Sequence, residues 1–231
     1  MPADGRRWSK GGAAVNQLAR ERAMQAPAAE VNELNADGVH LYIIEPHETG
    51  MPGKGVVLEI HGGALIYGGG EACRDLGRGA AGRYGLTTWA VDYRMPPADP
   101  YPAGLDDCVA AYRMLLRERR PEEIIVSGGS AGGNLAAALL LRARDEGLPM
   151  PAAAVLLTPE VDLTYSGDSF HANLGIDPLG SLLEINLLYA AGHDFRVPYM
   201  SPLFGDFAGF PPTLLTACTS DMFLSNAVRM H

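Results

Sequence analysis

Cysteine is scarce in this chain, with only three residues, Cys73, Cys108 and Cys218, among 231. An odd count without regular spacing argues against a disulfide framework and indicates free thiols, so we expect a reducing, cytoplasmic location. Positive charge is also in deficit, with 18 Lys and Arg against 27 Asp and Glu and a net charge of −9. That balance argues against nucleic-acid binding, which needs basic patches.

Other features are missing as well. No apolar run approaches the ~18 residues of a membrane span, and no apolar stretch follows the basic residues Arg6, Arg7 and Lys10 as it would in a signal peptide. The six histidines are scattered, and neither H-E-x-x-H nor C-x-x-C occurs. We therefore expect no membrane span, no leader, no metal and no cofactor.

The most informative segment present is Gly128-Gly129-Ser130-Ala131-Gly132. It follows the β-branched run Ile124-Ile125-Val126 and precedes an alanine- and leucine-rich stretch that favours a helix. G-x-S-x-G between a strand and a helix is the nucleophile elbow of α/β-hydrolases, in which small residues let the chain turn sharply and expose the serine hydroxyl. The alternative is a tight packing turn with a bystander serine.

A second motif, His61-Gly62-Gly63-Ala64, directly follows the strand-like run 56–60. Lipases and esterases place an HGGG-type segment in this loop, because bare backbone N–H groups must approach a developing oxyanion closely. Ala64 stands at the third glycine position and keeps its N–H donor. The alternative is a glycine turn with His61 merely bonded to the backbone.

Together with Asp92-Tyr93-Arg94 and Tyr101-Pro102-Ala103, these motifs resemble the hormone-sensitive-lipase-like branch of the α/β-hydrolases. The resemblance runs from about Val39 to the last residue and implies a mostly parallel sheet flanked by helices, with a small cap. It makes Ser130 the nucleophile and Asp221 the triad acid. It also implies an oxyanion hole with Gly62 shaping the loop and N–H donors from the residues Gly63, Ala64 and Ala131.

The chain departs from the family pattern at Gly129, Glu160, Cys218 and Ser220, none of which removes a catalytic group. The larger departure concerns the base. The order of the triad in this fold is Ser, acid, His, and His231 is the one histidine that follows Asp221. We expect a C-terminally truncated chain that lacks the last strand, the loop with the base and the last helix. The alternative is that His231 itself acts as the base.

Strand-like runs at 56–60, 87–91, 124–127, 153–157 and 214–217 alternate with helical stretches, which is the rhythm of a parallel sheet. The reactive loops then lie together at the carboxyl ends of the strands. We expect one domain over 1–231, with cap-like segments at about 1–28 and 163–200. A helix predicted over 181–189 either covers the site as a lid or is an ordinary packing helix.

The sequence therefore predicts a serine carboxylesterase for short-acyl esters that works through an acyl-enzyme and is impaired here by the missing base. One alternative is a non-catalytic protein that binds small molecules on the same fold. Another is a peptidase or amidase, since the fold does not fix the substrate. Truncation would also leave the strand at 214–217 as an exposed sheet edge, so we expect either a marginal fold or an oligomer that covers this edge.

Overall fold

The computed structural model describes residues 5–47 and 55–231. Its strands are β1 Ala29–Ala36, β2 Val39–Pro46, β3 Val56–Ile60, β4 Thr87–Asp92, β5 Ile124–Gly129, β6 Ala153–Leu157 and β7 Thr213–Thr216. Its α-helices are α1 Gly5–Gln25, α2 Glu71–Tyr84, α3 Ala103–Glu118, α4 Ala131–Asp145, α5 Ser169–Ala172, α6 Leu183–Ala190 and α7 Leu224–Met230. Two short 3₁₀ helices span Pro121–Glu123 and Pro202–Phe204.

The seven strands form one sheet in the order β1-β2-β4-β3-β5-β6-β7. The pairs from β4 through β3, β5 and β6 to β7 are all parallel, whereas β2 is antiparallel to both β1 and β4. The predicted mostly parallel α/β sheet is confirmed, and the strand predicted at 56–60 has the bounds of β3.

Helices cover both faces of this sheet. Leu41 and Val91 belong to the main core cluster together with α3 and α4 residues, whereas Ile44 and Ala90 pack on the other face with Cys73 of α2. This division follows the alternation of side chains along a strand. All five residues of β3 are buried on both faces of the sheet, which explains why all of them except Glu59 are apolar.

Each of the two cap-like segments contains a helix. The helix predicted over 181–189 is α6, and α1 lies in the N-terminal segment; residues 1–4 of that segment lie outside the described residues. Phe170 and Leu182 form a separate apolar cluster with Met222 and Phe223. Among the described residues, no helix has both the length and the apolarity to cross a membrane.

Within the part of the chain that the structure describes, strand β7 forms one edge of the sheet and pairs with β6 alone. Thr213, Leu214 and Thr216 are exposed, and Leu214 has 58% of its surface accessible. An edge that offers unpaired backbone groups beside an exposed apolar side chain is a template for pairing with another chain.

We therefore expect the 231-residue chain to self-associate through β7. Leu214→Lys should shift it toward the monomer in sedimentation velocity, because a lysine on an edge strand opposes pairing. Val228→Lys, at a residue that is 67% exposed on α7, is the matched control and should change nothing. A monomeric parent chain, or equal effects of the two substitutions, would contradict this expectation.

Candidate active site

Ser130 occupies a constrained turn between β5 and α4. Its φ of 55° and ψ of −122° lie in a region that residues other than glycine rarely adopt. Its N–H donates to the carbonyl of Leu157 (2.9 Å), and its own carbonyl accepts from the N–H groups of Asn134 (3.1 Å) and Glu160 (3.2 Å). Three backbone hydrogen bonds thus hold the serine in the strained geometry that the elbow motif predicts.

The glycines of the motif are required by close backbone packing. A Cβ at Gly132 would lie 2.0 Å from the carbonyl oxygen of Ile60, and one at Gly128 would lie 2.3 Å from the carbonyl oxygen of Gly132. Gly129 is different, because a Cβ there would meet the carbonyl oxygen of Leu157 only at 3.5 Å. The sharp turn therefore depends on Gly128 and Gly132 and not on Gly129.

The loop after β3 runs directly against Ser130. A Cβ at Gly62 would lie 2.8 Å from the carbonyl oxygen of Gly129 and 3.4 Å from the Cβ of Ser130. Gly63 has a φ of 130° and Ala64 a φ of 53°. Within residues 5–47 and 55–231, no acceptor is found for the N–H groups of Gly63, Ala64 or Ala131. These unpaired donors lie on the two segments that meet at Ser130.

A cavity of about 630 Å³ opens at this point. Ser130 is partly exposed and lines it together with the 61–64 loop. The remaining wall is largely apolar, and its side chains come from α1, from the residues around α6 and from the start of α7: Val15, Leu18, Leu179, Leu182, Ile185 and Phe223. Residues of α1 and α6 thus line the space next to the serine.

Asp221 follows β7 and reaches the cavity wall through Thr158. Its Oδ1 accepts from the N–H of Phe223 (2.8 Å), and its carboxylate also accepts from the Thr158 side chain. Partial burial raises the pKa of Asp221 above its ordinary value, and these two hydrogen bonds oppose the rise. Thr158 and Ser130 both line the cavity. The carboxylate of Asp221 therefore lies behind the cavity wall, with Thr158 between it and the cavity.

No histidine among the described residues hydrogen-bonds to Ser130 or Asp221. His171, His193 and His231 are exposed, and His231 ends the chain after α7 without lining the cavity. His61 does line the cavity, but burial lowers its pKa to about 4 and its Nδ1 is bonded to the carbonyl of Gly62 (2.8 Å). The described residues thus bring together the predicted nucleophile and oxyanion donors, with the acid nearby, but no base.

A buried polar cluster behind the elbow was not predicted from the sequence. Asn134 donates from Nδ2 to the carbonyls of Glu160 (2.7 Å) and Met200 (2.9 Å), and Asn186 donates to the Glu160 carboxyl (3.0 Å). Glu160 is fully buried, and burial raises its pKa to about 7. The only sequence signal was that Glu160 departs from the family pattern, and its partners lie 26 residues away on either side.

Comparison with known proteins agrees with this geometry. A model of the α/β hydrolase fold matches residues 57–231. The chain belongs to the hormone-sensitive-lipase-like branch of the α/β-hydrolase family. Among similar solved structures, the esterase E25 has a TM-score of 0.87 at 34% identity and is covered to 73% by the whole of this chain. The hormone-sensitive-lipase homologue EstE7, from a metagenome library, has a TM-score of 0.87 at 35% identity. The match covers 96% of this chain and 76% of EstE7.

Curated relatives include an acetyl-hydrolase of Streptomyces hygroscopicus, which is 37% identical over 74% of this chain and 58% of its own length. An esterase of Acinetobacter venetianus is 32% identical over 90% of this chain and 69% of its own length. The chain thus spans about three fifths to two thirds of the length of these relatives.

Gly132→Ala should destabilise the fold by about 3 kcal/mol, because the new methyl group overlaps the carbonyl of Ile60. Gly129→Ala, in the same motif, should cost less than about 1 kcal/mol, since its Cβ finds ordinary van der Waals space. Urea denaturation of the two variants checks this difference. Equal stability of the two proteins would show that the turn is not held by the contact between Gly132 and β3.

The buried Glu160 should make stability pH-dependent. Its pKa rises from 4.5 to about 7 on folding, so the folded state holds a proton that the unfolded state has lost. The free energy of unfolding should therefore fall as pH increases from about 4.5 to about 7, by up to ~3 kcal/mol.

Glu160→Gln should reduce this slope in urea titrations at pH 5, 6, 7 and 8; Glu59, whose pKa is also raised by burial, should keep its own contribution. Glu118→Gln, at an exposed position at the end of α3, controls for the loss of one negative charge and should keep the slope. If Glu160→Gln and the parent protein lose the same stability over this range, the carboxyl of Glu160 is not the group responsible.

Proposed function

We propose that this chain carries the nucleophile, acid and oxyanion hole of a serine carboxylesterase. The observation that carries the proposal is Ser130, held at a φ of 55° in a cavity beside three N–H donors that have no acceptor among the described residues. Preorganised donors of this kind are what an ester carbonyl needs when its oxygen becomes negative. The esterase and acetyl-hydrolase relatives support the same class of reaction.

In the proposed reaction, Ser130 Oγ attacks the ester carbonyl and forms a tetrahedral intermediate. Its oxyanion binds the N–H groups of Gly63, Ala64 and Ala131, with Gly62 keeping the loop close to the serine. A histidine accepts the serine proton and passes it to the departing alcohol, and Asp221 orients that histidine. Water then attacks the acyl-enzyme, which releases the carboxylic acid product and regenerates the hydroxyl of Ser130.

We further propose that the base is not among residues 1–231, so that this chain alone is a poor catalyst. The absence of a histidine bonded to Ser130 among the described residues supports this, as does the partial coverage of the relatives. Without a base the serine hydroxyl stays protonated and is a weak nucleophile. The oxyanion hole and binding alone leave a residual acceleration of about 10³–10⁴ over water.

The substrate class follows from the cavity. We propose short acyl chains, because described residues of the segments 1–28 and 163–200 line a space of about 630 Å³ next to Ser130. We also retain a single domain over 1–231 and a cytoplasmic location as proposals. A non-catalytic role in binding small molecules is the second candidate, and the missing base is the observation that favours it.

The test compares p-nitrophenyl ester hydrolysis by the 231-residue chain and by a form extended with a family-like C-terminal segment that carries a loop histidine. The extended form should be faster by several orders of magnitude, with rates highest for short acyl chains. Ser130→Ala in that form should abolish both turnover and fluorophosphonate labelling. Ser181→Ala, a serine of the same cavity outside the elbow, should preserve both.

Labelling that persists in Ser130→Ala would refute the assignment of the nucleophile. Ordinary esterase rates in the 231-residue chain that disappear in His231→Ala would identify His231 as the base and contradict the external base. If extension brings no activity and short esters still bind to the parent chain, the binding role replaces the esterase.

A further inference from the structure

Three side chains with metal-binding atoms converge behind the oxyanion loop. His61 follows β3, Asp92 ends β4, and Cys73 lies in the first turn of α2. A ring nitrogen of His61, the sulfur of Cys73 and a carboxylate oxygen of Asp92 all lie within 4.8 Å of one another. β3 and β4 are parallel neighbours with Ile60 opposite Val91, so His61 and Asp92 leave the sheet side by side.

The ring of His61 is fixed in the form that binds a cation. Its Nδ1 lies 2.8 Å from the carbonyl oxygen of Gly62, which can only accept, so Nδ1 carries the proton and Nε2 carries the lone pair. Nε2 is buried and makes no hydrogen bond to any of the described residues, and therefore none to the thiol of Cys73. Stacking on Tyr93, with ring centroids 4.1 Å apart, holds the ring in place. A neutral imidazole whose other nitrogen donates to a backbone carbonyl is typical of metal-binding histidines.

The Asp92 carboxylate is held in a similar way. Its Oδ1 accepts from the N–H of Gly70 (3.0 Å), and its Oδ2 is 3.0 Å from Nδ1 of His40. An ionised carboxylate has about four lone-pair positions, so both contacts leave room for a further bond. These partners fix the direction of the carboxylate before any cation arrives.

Cys73 completes a mixed donor set. It is buried and makes no disulfide. Nitrogen, thiolate sulfur and carboxylate oxygen together suit zinc, whereas magnesium and calcium prefer oxygen alone. Of the three residues, His61 also lines the cavity of about 630 Å³.

We propose that His61 Nε2, Cys73 Sγ and a carboxylate oxygen of Asp92 form a binding site for Zn²⁺, with water as the fourth ligand. The thiol of Cys73 gives up its proton to solvent as the sulfur–metal bond forms. Since His61 directly precedes the Gly62–Ala64 loop, a bound ion would fix the base of that loop. The proposal does not depend on the esterase activity.

The test is a titration of the metal-free protein with Co²⁺, followed by displacement with Zn²⁺. We expect one ion per chain, a thiolate-to-cobalt charge-transfer band in the near ultraviolet and the release of about one proton per ion. The released proton is that of the Cys73 thiol, because a cysteine binds a metal as its thiolate.

Cys73→Ser should abolish the charge-transfer band and weaken binding at least about 100-fold, and Asp92→Asn should weaken it by a similar factor. His40→Ala, which removes a partner of Asp92 and no ligand, should cost about 10–100-fold. Cys108→Ser changes another buried thiol outside the cluster and should leave the band unchanged. Near-ultraviolet circular dichroism checks that each variant is folded.

The proposal is wrong if the folded parent protein shows no band, if the band persists in Cys73→Ser, or if it disappears in a Cys218→Ser variant. The last result would assign the metal to the exposed thiol of Cys218. All these readouts are independent of ester hydrolysis, so they can fail while the proposed esterase function stands.

Discussion

The close contact between the first turn of α4 and the end of β3 is the constraint on which the reactive edge depends. Gly132 allows the backbone of α4 to lie against the carbonyls of Ile60 and His61 without a side chain between them. The same approach brings Ser130 against Gly62, at the start of the oxyanion loop. The strain at Ser130 costs on the order of 1–3 kcal/mol, and the backbone bonds to Leu157, Asn134 and Glu160 hold it.

Buried polar groups on either side extend this constraint. Behind the elbow, Asn134 links α4 to the segments that contain Glu160 and Met200. Below the loop, the hydroxyl of Tyr93 donates to the carbonyl of His61 (3.0 Å) while its ring stacks on the imidazole. Because unpaired polar groups are costly in the interior, such networks favour one arrangement of the backbone over its neighbours. The serine and the loop are therefore positioned in part by Asn134 and Tyr93, neither of which lines the cavity.

Local signals were sufficient for most of the fold and for the elbow. β3 is a short run that is apolar except for Glu59, and the small residues around Ser130 predict a sharp turn from local sequence alone. The same holds for the loop at 61–64, because its two glycines after a strand are recognisable in the sequence. The structure places these segments together because both follow neighbouring parallel strands.

Long-range pairings were not visible in the sequence. The cluster of His61, Cys73 and Asp92 draws one residue from each of three segments, so no ligand spacing of the usual kind reveals it, and the expectation of no metal rested on such spacings. In the sequence, Glu160 is only an unusual residue after Thr158-Pro159. Its hydrogen bond with Asn186 comes from tertiary packing. His40 contacts Asp92 across the β2–β4 pair, 52 residues away in the chain. Tertiary packing alone decides these contacts.

The most direct test of the central claim is a crystal structure of the extended form, which carries the loop histidine, after reaction with a p-nitrophenyl phosphonate ester. The account predicts phosphorus bonded to Ser130 Oγ, with the phosphoryl oxygen about 3 Å from the N–H groups of Gly63, Ala64 and Ala131. An adduct on another residue, or a phosphoryl oxygen that points into the cavity away from these donors, would contradict it.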